Sequence, residues 1–173
     1  MTRIAHVLIL ASTSPALAQP ASAESAVLFK EAQALMAQGR YAEACDAFDA
    51  SQRLDPTPNT ALNQANCREK NDQLATAWGE FLVVERSTRA ASDDDGKRTH
   101  RVAAEHAGKL EARLSTLTVR VPDDVRIGGL EILRGTEAVD PALWGKAIPV
   151  DGGTYKVVAR APGNAEWATT ITV

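Results

Sequence analysis

Close to Ser115 the hydrophobic rhythm of this 173-residue chain changes from a helical period to a period of two. Upstream, Ala103, Ala107, Leu110, Leu114 and Leu117 recur at steps of four and three, which lays one apolar face along a helix. Downstream, Leu117, Val119 and Val121 alternate with Thr118 and Arg120, and Trp167, Thr169, Ile171 and Val173 do the same. Tyr155, Val157 and Ala159 alternate as well. A helix-period segment forced into a strand would turn half its apolar side chains to water, so the two rhythms must belong to different architectures. The pattern predicts an α+β fold in two segregated parts. About five helices in antiparallel hairpins come first, and a small antiparallel β-sandwich of five to seven short strands follows.

Turn chemistry divides the second part. Pro122-Asp123-Asp124, Gly128-Gly129, Asp151-Gly152-Gly153 and Ala161-Pro162-Gly163-Asn164 each break a strand pattern. Residues Ile148 through Ala159 read as a hairpin closed at Asp151-Gly152-Gly153. In the first part, Ser92-Asp93-Asp94-Asp95-Gly96 interrupts the helical pattern. It lacks the ligand spacing of a calcium loop and reads as a linker whose carboxylates favour the start of the next helix. That fifth helix is expected to cover the open end of the helices before it.

The first residues have the form of a secretory leader. Arg3 precedes the short apolar stretch Ile4 to Ala11, and small residues follow. Cleavage is expected after residue 18 or residue 23, so residues 1–23 read as a signal peptide. The mature protein is then periplasmic or secreted. The apolar stretch is far shorter than the ~20 residues of a transmembrane helix, and no later stretch reaches that length. The chain carries 19 Lys and Arg against 22 Asp and Glu, with no long run of one sign, which argues against a nucleic-acid partner.

Between the leader and the linker, two stretches align at a spacing of 33 residues: Gly39, Tyr41, Ala44 and Phe48 correspond to Asp72, Leu74, Ala77 and Phe81, and Ala32 to Ala65. Gly39 can turn the chain without steric penalty, Ala44 lets two helices approach, Phe48 fills the space between them, and Pro56 ends the second helix. The stretch Gly39-Arg40-Tyr41-Ala42-Glu43-Ala44, then Phe48, then Leu54-Asp55-Pro56, resembles the second half of a tetratricopeptide repeat. In the second copy, Leu62 to Val84, Asp72 stands at the turn glycine and Arg68 where an aromatic is usual. The organisation expected is tetratricopeptide-like repeats over 24–91, linker and capping helix over 92–115, and the β-sandwich over 116–173.

The β-rich part resembles the modules named for a Pro-Glu-Gly-Ala (PEGA) motif, and carboxypeptidase regulatory-like domains. The residues carrying the resemblance are Pro149-Val150-Asp151-Gly152-Gly153-Thr154-Tyr155-Lys156-Val157, with Ala161-Pro162-Gly163 downstream; the literal motif is absent. Leader, repeats and β-module together look like envelope proteins of myxobacteria-like bacteria, a resemblance that implies no activity. A sandwich this small is marginal alone and is expected to lean on the fifth helix or on a partner.

In the tetratricopeptide register, Cys45 faces the helix that carries Cys67, so the pair either bridges in an oxidising compartment or packs as two small apolar residues. His100 and His106 lie six apart on the fifth helix and point to different faces. No nucleophile elbow, zinc-protease motif or phosphate loop occurs, so neither catalytic residues nor a cofactor or metal site is predicted. Of the tryptophans, Trp78 reads as core or inter-domain filler, Trp167 as held on one sheet face, and Trp144 as a loop aromatic that is a lid or a contact. The resemblance places the concave, partner-facing side on Phe29, Gln33 and Met36 of one helix and Asn59, Leu62, Asn66, Glu69 and Lys70 of another. Such mixed amide, charged and apolar groups suit an extended peptide. The expected function is a non-catalytic envelope interaction module, with the β-part docking on an envelope partner or on glycan. The alternative is a spacer in which the helices rigidly support a glycan-binding β-module.

Overall fold

The computed structural model describes residues 21–173, so Ile4 to Ala11 and cleavage after residue 18 lie outside the described residues. Five helices come first: α1 (Ala21–Ala37), α2 (Tyr41–Leu54), α3 (Pro58–Lys70), α4 (Leu74–Thr88) and α5 (Asp94–Glu111). Six strands follow: β1 (Ser115–Thr118), β2 (Glu131–Arg134), β3 (Glu137–Ala138), β4 (Ala147–Val150), β5 (Thr154–Arg160) and β6 (Trp167–Thr172). The helical part ends within a few residues of the rhythm change, giving the expected two-part α+β fold.

The 33-residue repeat is reproduced hydrogen bond by hydrogen bond. Gly39 closes α1 at φ +73°, and Asp72 closes α3 at φ +57°. Arg40 N–H donates to Leu35 O at 3.0 Å, and its counterpart Gln73 N–H donates to Arg68 O at 2.9 Å. Gly39 N–H donates to Met36 O at 3.1 Å, and Asp72 N–H to Glu69 O at 3.3 Å. Both turns are therefore the same left-handed helix cap, in which two N–H groups reach back over the last helical carbonyls. An aspartate tolerates that conformation better than most side chains but still pays a steric penalty that glycine avoids.

Each hairpin buries a phenylalanine beside an alanine. Ala44 and Phe48 sit in a core with Ala32, Leu35, Cys45 and Cys67. Ala77 and Phe81 sit in a second core with Ala65, Val84, Ala103, Ala107 and Leu110. The last three come from α5, which packs mainly on α4 and touches α3. Trp78 packs against this second core. The α5 face stops at Leu110; Leu114 lies in the connector and Leu117 in β1. Polar devices fix the helix ends. Thr57 caps α3 by accepting Thr60 N–H at 3.0 Å, with Pro58 at the first position. Asp93 caps α5 by accepting Gly96 N–H at 2.8 Å, so the acidic run serves the helix start. Ser25 and Ser51 cross-bond between α1 and α2, each hydroxyl reaching the other's carbonyl at 3.0–3.1 Å.

The strands form two antiparallel sheets, β1-β4 and β3-β2-β5-β6. Val121, Ile132 and Val157 make the core between them, with Val119, Leu130, Trp144 and Ile171 packed alongside. The expected hairpin from Ile148 to Ala159 does not form. β4 pairs with β1, Ser115 opposite Val150, while β5 pairs with β2 on one side and β6 on the other. Both edges of β5 are thus taken, and Asp151-Gly152-Gly153 carries the chain from one sheet to the other, with Gly153 at φ +149°. The hairpin lies one turn later, where Ala161-Pro162-Gly163-Asn164 joins β5 to β6. The β-part leans on α4, where the fifth helix or a partner was expected.

Candidate partner-binding surfaces

The contact between the two parts is made by Asp151. Helix α4 begins after Gln73, which offers no side-chain cap. Asp151 supplies one from the β-part: its Oδ1 accepts Ala75 N–H at 2.7 Å and Thr76 N–H at 3.1 Å, and its Oδ2 accepts the Thr76 hydroxyl at 2.6 Å. A carboxylate at a helix start meets unpaired N–H groups and the positive end of the helix dipole. Tyr155 steadies the loop by donating its hydroxyl to Asp151 O at 2.7 Å. An acceptor more than seventy residues away in sequence was not legible as a cap, since capping is recognised from neighbours in the chain.

One helical turn along α4 from Thr76 stands Glu80. It faces Arg68 of α3, whose guanidinium pairs with Asp49 of α2 and donates to Gln73 Oε1 at 3.1 Å. Gln64 also donates to Asp49, at 2.7 Å. Glu80 receives less: its Oε1 lies 3.9 Å from Arg68 Nε, and its buried Oε2 has no hydrogen-bond partner. Burial pushes its carboxyl up to about 7; Arg68 pulls the other way, and Asp49 and Asp151 add to the rise. Arg68, sitting where an aromatic filler was expected, is therefore the hub of a polar network joining α2, α3 and α4.

The expected concave residues are not gathered into one site. On α1, Gln33 is exposed, whereas Phe29 meets Phe48 edge-on at a centroid distance of 5.5 Å and packs, with Met36, against the first core. On α3, Asn59 and Leu62 line a cavity of about 420 Å³ together with Asp95, Arg98, Thr99 and Val102 of α5. Asn66 is half-buried and Lys70 exposed further along the same helix. Glu69 is engaged by α5: its Oε2 is bonded to His106 Nδ1 at 2.6 Å, and the His106 ring lies against Phe81 at 4.8 Å. The α5 residues of this cavity were missed because that helix does not continue the 33-residue register. The signal available was the ion pair Asp95–Arg98, at positions i and i+3 of a strongly amphipathic helix.

The β-part has a larger concavity. An apolar cleft of about 530 Å³ runs between the Leu117–Val121 segment and the inner face of the four-stranded sheet. Val125, Ile132, Val157, Trp167 and Ile171 are among its walls, and Arg120 is the one charged residue lining it. Trp167 is 56% exposed, so the sheet face holds it only partly. Trp144 does not line this cleft; it packs on the β-core, donates Nε1–H to Val139 O at 3.3 Å, and has the Arg126 guanidinium 6.0 Å from its ring centroid.

Cys45 and Cys67 stand at disulfide distance with their Cα atoms 5.5 Å apart, both fully buried. Among the described residues no three His, Cys, Asp or Glu side chains converge as a metal ion would need, and no helix is long and apolar enough to cross a membrane. No curated protein and no solved structure matches the chain. Residues 25–58, which run through α1, the Gly39 turn and α2 into the Thr57 cap of α3, match the tetratricopeptide repeat family, and the N-terminal region is a helical repeat.

Proposed function

We propose that this protein is a non-catalytic, exported interaction module whose helical repeats hold a peptide or protein segment. The observation that carries the reading is the tetratricopeptide match over 25–58, whose turn recurs bond for bond at Asp72. Stacks of this kind serve as extended binding surfaces. The surface proposed is the α3–α5 cavity with Asn59 and Leu62, with Asn66 and Lys70 further along α3; Gln33 is exposed separately on α1. Amides bond a peptide backbone, Leu62 and Val102 take an apolar side chain, and Lys70 meets a carboxylate. The leader-like residues favour a periplasmic or secreted protein, and a bridge between Cys45 and Cys67 suits that compartment. The PEGA-like β-module is read as the part that docks on an envelope partner or on glycan.

A display selection of random peptides on the purified protein tests the reading. Selected peptides should bind the Asn66→Ala, Lys70→Ala double variant at least tenfold more weakly by calorimetry. Peptides that bind both proteins equally, or a selection that enriches none, would refute it. A second reading, a rigid spacer, draws on the Asp151 cap that fixes the β-part to α4. It is favoured if the selection fails while the β-part alone retains glycan in a pull-down.

A further inference from the structure

Strand β6 is an edge: its inner side pairs with β5, and among the described residues nothing pairs with its outer side. The hydrogen-bond phase of that edge follows from its end. Gly153 and Val173 exchange both bonds, at 3.2 and 2.9 Å. In an antiparallel ladder such pairs alternate, so Ile171, Thr169 and Trp167 face β5 with their backbone groups. Ala168, Thr170 and Thr172 therefore present their N–H and C=O groups outward. Protected edges carry lysine, proline, a bulge or an inward charge. The segment Trp167–Thr172 carries no charge and no proline, and its pairing with β5 runs without a bulge.

We propose that this edge is a self-association surface, on which β6 of a second copy pairs antiparallel and continues the sheet across the two molecules. The outward groups limit the register. Bonded pairs form only between residues with outward groups, Ala168, Thr170 and Thr172; of the registers this allows, the one proposed sets Thr170 against Thr170 of the other copy and Ala168 against Thr172, which keeps Glu166 out of the ladder. On the inner face, Thr169 then meets Ile171, and Trp167 meets Val173, cross-strand neighbours of the kind that stabilise sheets. The charges agree. The cleft beside β6 is apolar apart from Arg120, so an uncharged strand that extends the same sheet face adds apolar side chains beside it and brings no second positive charge. A second β6 brings Trp167, Thr169 and Ile171, all uncharged. Val125, large and exposed, lines the same cleft. One strand with this rim residue falls short of the ~20–30 residues per side of a standard interface, so the dimer is weak and reversible.

Sedimentation equilibrium of the protein across the micromolar range tests this. The weight-average mass should climb from monomer toward twice that value. Thr170→Pro removes an N–H that no monomer ladder uses and should abolish the rise with an unchanged thermal midpoint. Should that variant fold poorly, Thr170→Glu, placed opposite Lys156 within the monomer and opposite itself in the dimer, gives the same readout. Register is read by oxidation: Thr170→Cys should cross-link to itself, whereas Thr172→Cys should not. A protein monomeric at all loadings, variants that dimerise like the wild type, or efficient cross-linking through position 172 would overturn the proposal.

Discussion

Replacing Glu80 by glutamine should make the protein more stable at pH 8 and leave it nearly unchanged at pH 5. The carboxyl sits between α3 and α4 with one oxygen buried and unbonded, and its titration is pushed from 4.5 up to about 7. The folded state therefore holds a proton that the unfolded chain releases near pH 4.5. Protonated Glu80 contributes fully below that pH; the contribution fades as pH rises and is gone above about 7. At 1.36 kcal/mol per pH unit a fully dry site would give about 3 kcal/mol. The side chain keeps 27% of its surface in solvent, and screening reduces the expected effect to about 2 kcal/mol. Urea unfolding of both proteins at pH 5 and pH 8 measures it. The stability difference, variant minus wild type, should grow by most of that amount between the two conditions, since the unfolded carboxyl is already largely ionised at pH 5. A constant difference, or a wild type that gains on the variant at pH 8, would refute the reasoning. It would mean that Arg68 at 3.9 Å outweighs burial.

Three further outcomes follow from particular contacts. Asp72→Gly should stabilise the protein by about 0.5–1 kcal/mol, since φ +57° costs glycine nothing; a loss of stability in thermal unfolding would contradict the shared turn. Cys45 and Cys67 enclose a separation of 22 residues, so reduction should cost about 3 kcal/mol; two free thiols titrated in denaturant without reductant would reject the bridge. Asp151→Ala should cost about 1–2 kcal/mol and speed hydrogen exchange at the Ala75 and Thr76 amides, while exchange in the Phe48 core stays slow; unaltered exchange at those two amides would show that the cap does not join the parts.

The fold was legible wherever a local rule decided it. The change of period near Ser115 separated helices from strands because side-chain direction in each is set by the backbone alone. The spacing of 33 residues located both turns, and even Asp72, a poor match for a turn glycine, takes the same conformation because Glu69 and Arg68 carbonyls await its cap. The failures share a cause. The supposed hairpin at Asp151-Gly152-Gly153 has the right turn residues, but strand pairing is decided by which edges are free, and β2 and β6 had already filled those of β5. Turn chemistry reports that a chain reverses; it does not report which strand it returns to.

The surface residues divide in the same way. Asn59 and Leu62 line a cavity shared with α5, whereas Phe29 is drawn into the first core and Glu69 is occupied by His106. A register carried over from a repeat family fixes the direction of a side chain on its own helix, but its freedom depends on what lies opposite. Here α5 lies opposite, and it forms with α3 a half-open cavity bounded by Asp95 and Arg98. The polar network carries the point further, because Arg68 departs from the repeat pattern and becomes the residue through which α2, α3 and α4 meet. Asp151 caps the same α4, one turn from Glu80. A departure from the family pattern inside the stack thus lies beside the joint to the β-part, so the charge on Glu80 bears on both.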